Sequence, residues 1–345
     1  MSRIKFTHKY NDIISIDNLL EAWREFIMGK KKRKDVQEFE RNLMANIIKL
    51  HNELDVMAYK HDGYEAFNIS DPKPRNINKA TVRDRLLHHS IYRIIYPFFN
   101  RVFMSDSFSC RDAKGTHKAL NRFRDMGRKV SRNNSATCWV LKCDIRKFFD
   151  NIDHKILVDI LNEYIQDKNI IWLLEKVIYS FSKTPGRGLP LGNLTSQLFV
   201  NIYMNEFDQY IKHSLKVKYY IRYADDFVII SKDKSWLEEL LPKIGGLLSE
   251  RLKLNLHPDK IYIKTLASGV DFLGWVHFPN YRILRTTTKR RMLKNLSYNP
   301  KTESLNSYLG LLKHGNAFKL RNNLMLSEKV NNLSGEVKKS EYNKG

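Results

Sequence analysis

Lys218-Tyr-Tyr-Ile-Arg-Tyr-Ala-Asp-Asp-Phe-Val-Ile-Ile230 reads as two strands meeting at a tight acidic turn. β-Branched and aromatic residues on both sides favour a pleated, half-buried backbone, whereas Ala224-Asp225-Asp226 supplies the turn. Two adjacent carboxylates at the tip of a buried hairpin repel each other, so the arrangement calls for a cation. Hard carboxylate oxygens suit Mg²⁺ or Mn²⁺, and two such ions about 4 Å apart can clamp the attacking and leaving oxygens of a phosphoryl displacement. That chemistry wants a further carboxylate from another strand. Asp144 fits, closing the short strand Trp139-Val-Leu-Lys-Cys143 ahead of Phe148 and Phe149.

Around this centre the chain alternates between the two periodicities. Ile156, Leu157, Ile160, Leu161 and Tyr164 predict a helix after the Asp144 strand, with Asp150 and Asp153 left to helix capping. A Gly- and Pro-containing loop, Thr184 to Asn193, enters a second helix marked by Leu194, Leu198, Ile202 and Ile211. Leu237 to Leu248 predicts a further amphipathic helix kinked near its start by Pro242. Upstream, the first 60 residues look helical. Tyr64 to Ile69 and Arg75 to Ile77, joined through Asp71-Pro72-Lys73-Pro74, predict a β-hairpin with a basic tip, followed by a helix from about Thr81 to Phe98.

Charge narrows the partners. The 345 residues carry 60 Lys and Arg against 37 Asp and Glu, a formal +23, which favours a polyanion: nucleic acid first, an anionic membrane second. From Tyr281 onward there are 14 Lys and Arg against 4 Glu and no Asp, which reads as a separate basic helical domain. The N-terminus lacks a signal-peptide core and no apolar run reaches the roughly 20 residues of a bilayer span, so a soluble cytoplasmic protein is expected. Cys110, Cys138 and Cys143 show no C-x-x-C spacing and support neither a disulfide framework nor a zinc knuckle.

The motifs together resemble those of reverse transcriptases. Tyr223-Ala-Asp-Asp226 is similar to their catalytic hairpin, and Lys142-Cys-Asp-Ile-Arg-Lys-Phe-Phe149 to the first catalytic motif of the same palm domain. Leu254 to Lys260 and Phe272-Leu-Gly-Trp275 resemble a following lysine motif and the primer grip. Arg83-Asp-Arg85, Ser107 to Arg111 and Gly115 to Ala119 resemble the fingers of bacterial, intron-related enzymes. The resemblance spans roughly Tyr64 to Leu324.

It implies an α/β (α+β) right-hand polymerase fold with fingers and palm plus a helical thumb. Residues 1–60 would be an N-terminal helical extension, 61–137 fingers, 138–280 palm with a fingers insertion around 155–190, and 281–345 the basic thumb and tail. Two Mg²⁺ or Mn²⁺ ions would be held by Asp144, Asp225, Asp226 and the Ile145 backbone carbonyl, while Lys260 protonates the departing pyrophosphate. Lys73 and Arg75 would hold the triphosphate, Phe149 would gate against the ribose 2′-hydroxyl, and Gly192 and Gln197 would lie at the nucleotide. The implied partners are template RNA, a primer or cDNA, and deoxynucleoside triphosphates, with no membrane.

Gly188-Leu-Pro-Leu-Gly-Asn-Leu-Thr-Ser-Gln197 narrows the resemblance. Most relatives carry Gln before the second glycine and Pro after the serine; Leu191 and Gln197 stand here, as in enzymes of diversity-generating retroelements. Those copy a template RNA with frequent errors at adenines and work with a small basic oligomeric accessory protein. Ser307 to His314 also resembles their thumb. The alternatives are another stand-alone bacterial reverse transcriptase, antiphage or retron-like, and a catalytically silent RNA-binding protein of the same fold. Gly186, Gly188 and Gly192 do not make a dinucleotide fingerprint, because the last spacing is wrong and Pro190 interrupts the turn.

Overall fold

Nine strands form among the described residues, which are 4–70, 74–298 and 302–325 of a computed structural model. In chain order they are β1 (Tyr64–Ile69), β2 (Arg75–Ala80), β3 (Trp139–Asp144), β4 (Tyr220–Tyr223), β5 (Asp226–Ser231), β6 (Tyr262–Thr265), β7 (Val270–Phe272), β8 (Trp275–His277) and β9 (Arg282–Leu284). β1 and β2 form a separate antiparallel hairpin, β4-β5-β3-β6 a four-stranded sheet in that order, and β7-β8-β9 a three-stranded sheet. The chain divides into two compact units: Met1–Ala119 with Leu141–Ile229 and Lys234–Tyr262, and Leu120–Val140 with Ile230–Asp233 and Ile263–Gly345.

In the first unit, helices Tyr10–Ile14, Ile16–Phe26, Lys34–Glu40 and Leu43–Asp55 precede the hairpin, and helix Val82–Val102 follows it. The last helix runs a turn beyond the sequence expectation, through Pro97. Asn18 ties its own helix to two others, its amide donating to the Ile13 carbonyl at 2.8 Å and to the Ser90 hydroxyl at 2.8 Å. Helix Leu194–Gln209 is buried on almost every face, including Ser196, Asn201, Asn205 and Asp208. A helix apolar on one stripe would not need this; one enclosed by the core does. Its continuation, Tyr210–Ser214, widens into a π-helical turn that carries the buried Ile211. Asp153 caps helix His154–Tyr164 by accepting from the Ile156 amide at 3.2 Å. Helix Lys234–Arg251 continues through Pro242. All three cysteines are free thiols, and no helix among the described residues is long and apolar enough to cross a membrane.

The second unit gathers its core around Trp275, which is fully buried among Leu120, Leu284, Met292 and Leu312. Helices Thr286–Tyr298 and Thr302–Leu312 contribute to it. Gly315 lies flat on the indole: an added Cβ would sit 1.9 Å from Trp275 Cζ3 and 2.6 Å from Cη2. Neither a ring atom of a buried tryptophan nor a backbone can retreat cheaply, so Gly315→Ala should destabilise this unit by about 1–3 kcal/mol. Gly310→Ala is the control, because a Cβ there meets nothing within 4 Å and a helical alanine is favoured by roughly 0.5–1 kcal/mol. Thermal melts should move in opposite directions; equal melts would remove the packing argument.

Candidate active site

Backbone hydrogen bonds splice the acidic segments together before any side chain is considered. Tyr223 faces Asp226 across β4 and β5, leaving Ala224 and Asp225 as the turn, with Ala224 at φ +57°. The Asp225 carbonyl accepts from the Ile145 amide at 3.1 Å, and the Asp144 carbonyl accepts from the His257 amide at 2.7 Å. The end of β3, the turn and the segment before Lys260 are therefore joined. Ile145 is buried, and its neighbour Arg146 donates to the Asn255 carbonyl at 2.9 Å.

Beneath the turn lies a buried ion pair. Arg222 on β4 meets Asp208 of the buried helix in a fork, Nε to Oδ1 and Nη2 to Oδ2 at 2.7 Å each. Tyr220 adds its hydroxyl to Asp208 at 2.6 Å. Arg222 then reaches outward: Nη1 donates to the Ala224 carbonyl at 3.1 Å and Nη2 to the Ser107 hydroxyl at 3.0 Å. The guanidinium thus braces the turn that presents the aspartates. Sequence reading missed this pair. Its signal was available, since Arg222 interrupts an apolar strand and Asp208 lies on a helix otherwise rich in buried apolar residues.

Electrostatics at the carboxylates follow from partial burial and mutual repulsion. Burial, with repulsion from Asp225 and Asp144, pushes the Asp226 carboxyl up to about 7 against the opposing pull of Lys142. Asp225 is raised by burial and then by Asp144, while Lys260 and Arg75 pull it down. Two ammonium groups stand against this charge: Lys142 Nζ lies 3.4 Å from Asp226 Oδ2, and Lys260 Nζ lies 2.9 Å from Asp144 Oδ1. Lys260 is therefore an ion-pair partner of Asp144 in this geometry. Asp226 Oδ1 is buried with no hydrogen-bond partner among the described residues. Among those residues no three His, Cys, Asp or Glu side chains converge closely enough to hold a metal. The donor chemistry nonetheless suits a hard divalent cation: an orphaned carboxylate oxygen, two neighbouring carboxylates, and burial that penalises their charge.

Of the expected nucleotide residues, Arg75 and Phe149 lie on β2 and just after β3, Gly192 on the loop before helix Leu194–Gln209 and Gln197 in that helix. Arg75 opens β2, is exposed, and acts electrostatically on Asp225; Lys73 lies outside the described residues. Phe149 is half-buried, edge-on to Phe148 at 5.5 Å, and its carbonyl accepts from the Leu189 amide at 2.9 Å. Gly192 has φ +105°, and a Cβ there would lie 2.7 Å from Ile77 Cγ2, so the close approach to β2 demands glycine. The Leu191 carbonyl accepts from the Asn78 amide at 3.0 Å, and Asn193 Nδ2 returns a bond to the Asn78 carbonyl at 2.9 Å. Gln197 is half-buried in the first turn of the helix. Nothing in the sequence pattern announced the link between Asn78 and the glycine loop.

Residues 60–277, which carry all of these features, match the family described as reverse transcriptase (RNA-dependent DNA polymerase). The chain belongs to the reverse transcriptase family. It is 26% identical over 279 residues to protein YkfC of Escherichia coli K12, covering 69% of this chain and 70% of that protein. It is 25% identical over 291 residues to the group II intron-encoded protein LtrA of Lactococcus lactis, covering 64% of this chain and 46% of that one. Among solved structures, telomerase from Candida albicans superposes with a TM-score of 0.52 at 13% identity, covering 74% of this chain and 52% of that chain. That likeness concerns the fold alone, a right-hand polymerase fold of mixed helix and sheet. This reverse transcriptase chain spans about half the length of the intron-encoded relative and of the telomerase chain.

Proposed function

We propose that the chain is an RNA-directed DNA polymerase that extends a primer along an RNA template with deoxynucleoside triphosphates. The observation that carries the reading is the backbone splice of Asp144 to the Asp225-Asp226 turn, in a chain of this family. Asp144, Asp225 and Asp226 would hold Mg²⁺ or Mn²⁺, with the Ile145 carbonyl as a further oxygen donor. The bound ions would stabilise charge developing on the attacking and leaving oxygens. Lys260 and Lys142 balance the carboxylates, and Lys260, half-buried with its ammonium on Asp144, is the group to protonate the departing pyrophosphate. Arg75 and Lys73 would hold the triphosphate. We assign residues 61–137 to fingers, 138–280 to palm, and 281–345 to thumb and tail. Extension of a primer on a defined RNA template, lost on chelation and restored by Mg²⁺, tests the reading. A folded protein that binds RNA yet adds no nucleotide would favour the silent alternative.

The subtype we infer is the error-prone enzyme of a diversity-generating retroelement, working beside a small basic accessory protein. What supports it is the pair Leu191, on the loop that bonds to Asn78, and Gln197, in the first turn of the helix that follows. A tenfold change in selectivity needs only about 1.4 kcal/mol at the transition state, so modest packing differences suffice. Misincorporation should concentrate opposite template adenine and fall, relative to other errors, in Leu191→Gln/Gln197→Pro. Sequencing cDNA from one RNA template, with any required accessory protein supplied, measures this. An error spectrum without adenine bias would place the enzyme with the other stand-alone bacterial reverse transcriptases. Phe149→Ala should separately relax discrimination against ribonucleotides while extension with deoxynucleotides persists.

A further inference from the structure

The second unit contains a cavity of about 480 Å³ at the end of β8 opposite the Leu273-Gly274 turn, lined by Arg124, His277, Tyr281, Arg282, Lys313 and His314 among others. No carboxylate is among the described residues that line it. Arg282 reaches its neighbours through neutral acceptors: Nε donates to the His314 carbonyl, and Nη2 to Asn121 Oδ1 at 3.1 Å. Its remaining terminus, Nη1, is buried with no hydrogen-bond partner among the described residues. The same holds for Nε2 of His277, a residue only 3% exposed. Burial and the neighbouring Arg124 charge both lower the Arg282 pKa; Arg124 has Asp125 beside it, Nε to Oδ1 at 3.4 Å, whereas Arg282 bonds only to neutral acceptors among the described residues.

An unpaired guanidinium donor and an unpaired imidazole nitrogen are expensive to leave buried. An oxyanion that accepts from Arg282 Nη1 would satisfy the guanidinium, which is suited to phosphate by charge and by fork geometry, while a hydroxyl could donate to Nε2 of the neutral His277 ring. The mouth supplies a second kind of contact. Tyr281 is 50% exposed and stacks on Phe278 with ring centroids 4.9 Å apart, a flat aromatic surface of the sort on which nucleobases stack. The volume falls within the range of small-ligand pockets, roughly 300–1,000 Å³, ample for a phosphate with its sugar and base.

We propose that this cavity is a nucleotide-binding subsite, with the phosphate held by Arg282, Arg124 and Lys313 and the base laid against Tyr281. The ligand is either a free nucleotide or one nucleotide of a single-stranded RNA, and the chemistry recognised is the same. The subsite is independent of the polymerase reading, because it uses none of the carboxylates and needs no divalent ion.

The test uses the full chain in the presence of a chelator, so a failed polymerase assignment cannot affect it. A single-stranded RNA bearing 4-thiouridine is photo-crosslinked and the adducts are mapped. Adducts on Tyr281 or Phe278 are expected, and Arg124→Gln/Lys313→Gln, both exposed positions, should cut their yield about tenfold with the melt unchanged. Arg282→Met should cut it further, but the double variant decides if Arg282→Met fails to fold. Competition separates the sources: uridine 5′-monophosphate displacing the RNA adduct marks a free-nucleotide site, and displacement only by unlabelled RNA marks a strand site. Uridine lacking the phosphate should compete at least about tenfold less well than its monophosphate in the first case. No adduct at Tyr281 or Phe278, or an unchanged yield in a folded double variant, overturns the proposal.

Discussion

Asp225→Asn and Asp226→Asn should each lower primer extension by at least about a thousandfold, roughly 4 kcal/mol of transition-state stabilisation, while the protein still melts cooperatively. The reason lies in what holds the turn. Its backbone is fixed by the Ile145 amide and the Arg222 guanidinium, neither of which depends on the two carboxyl groups. Fold energetics favour the neutral form besides. A carboxyl raised to about 7 contributes its stability in the protonated state, fully below the unfolded value near 4 and progressively lost as pH rises through 7. Above that, charged Asp226 weighs against the fold, so an uncharged Asn should narrow the decline in melting temperature between about pH 4 and 7. Extension within tenfold of wild type in either variant would remove the assignment of the metal-binding carboxylates.

Asp208→Ala should have the largest effect on stability, about 3–5 kcal/mol, because it strands a guanidinium that is 1% exposed. Four polar contacts radiate from that pair, to Tyr220, Ser107, Ala224 and Asn201. Removing one carboxylate therefore unsettles the acidic turn as well as the core. Asp208→Ala/Arg222→Met should recover a sizeable part of the loss, since a buried pair replaced by an apolar side chain is often tolerated. Urea midpoints for the two variants give the comparison. A loss below about 1 kcal/mol for Asp208→Ala would mean that water reaches Arg222.

The acidic hairpin was legible because its information is local: apolar strands on either side of two adjacent aspartates leave few alternatives to a turn. Asp144 was legible for the same reason, as the polar end of a short buried strand. The partnership of Arg222 with Asp208 was not, although the residues are only 14 positions apart, because it depends on how a buried helix packs under a strand rather than on either pattern. Lys142 interrupts the apolar strand Trp139–Cys143, but its place beside Asp226 was not legible. The helix after the first hairpin, expected to end near Phe98, runs on to Val102. The bond from Asn78 to the glycine loop and the cluster of Arg124 with Arg282 both join segments more than 100 residues apart, and no periodicity encodes them.

The amide of Ile145 and the carbonyl of Asp225 close a loop of about 80 residues, and Lys260 reaches Asp144 across 116 positions. Closing loops of that length carries an entropic charge that only the rest of the assembled core can repay. During synthesis the ribosome must release the chain past Asp226 before the three carboxylates can meet, and past Lys260 before Asp144 gains its ammonium partner, so this mutually repelling cluster forms when much of its scaffold already exists. Truncated or partly folded chains would therefore carry these residues apart, chemically ordinary and without the means to act on a strand.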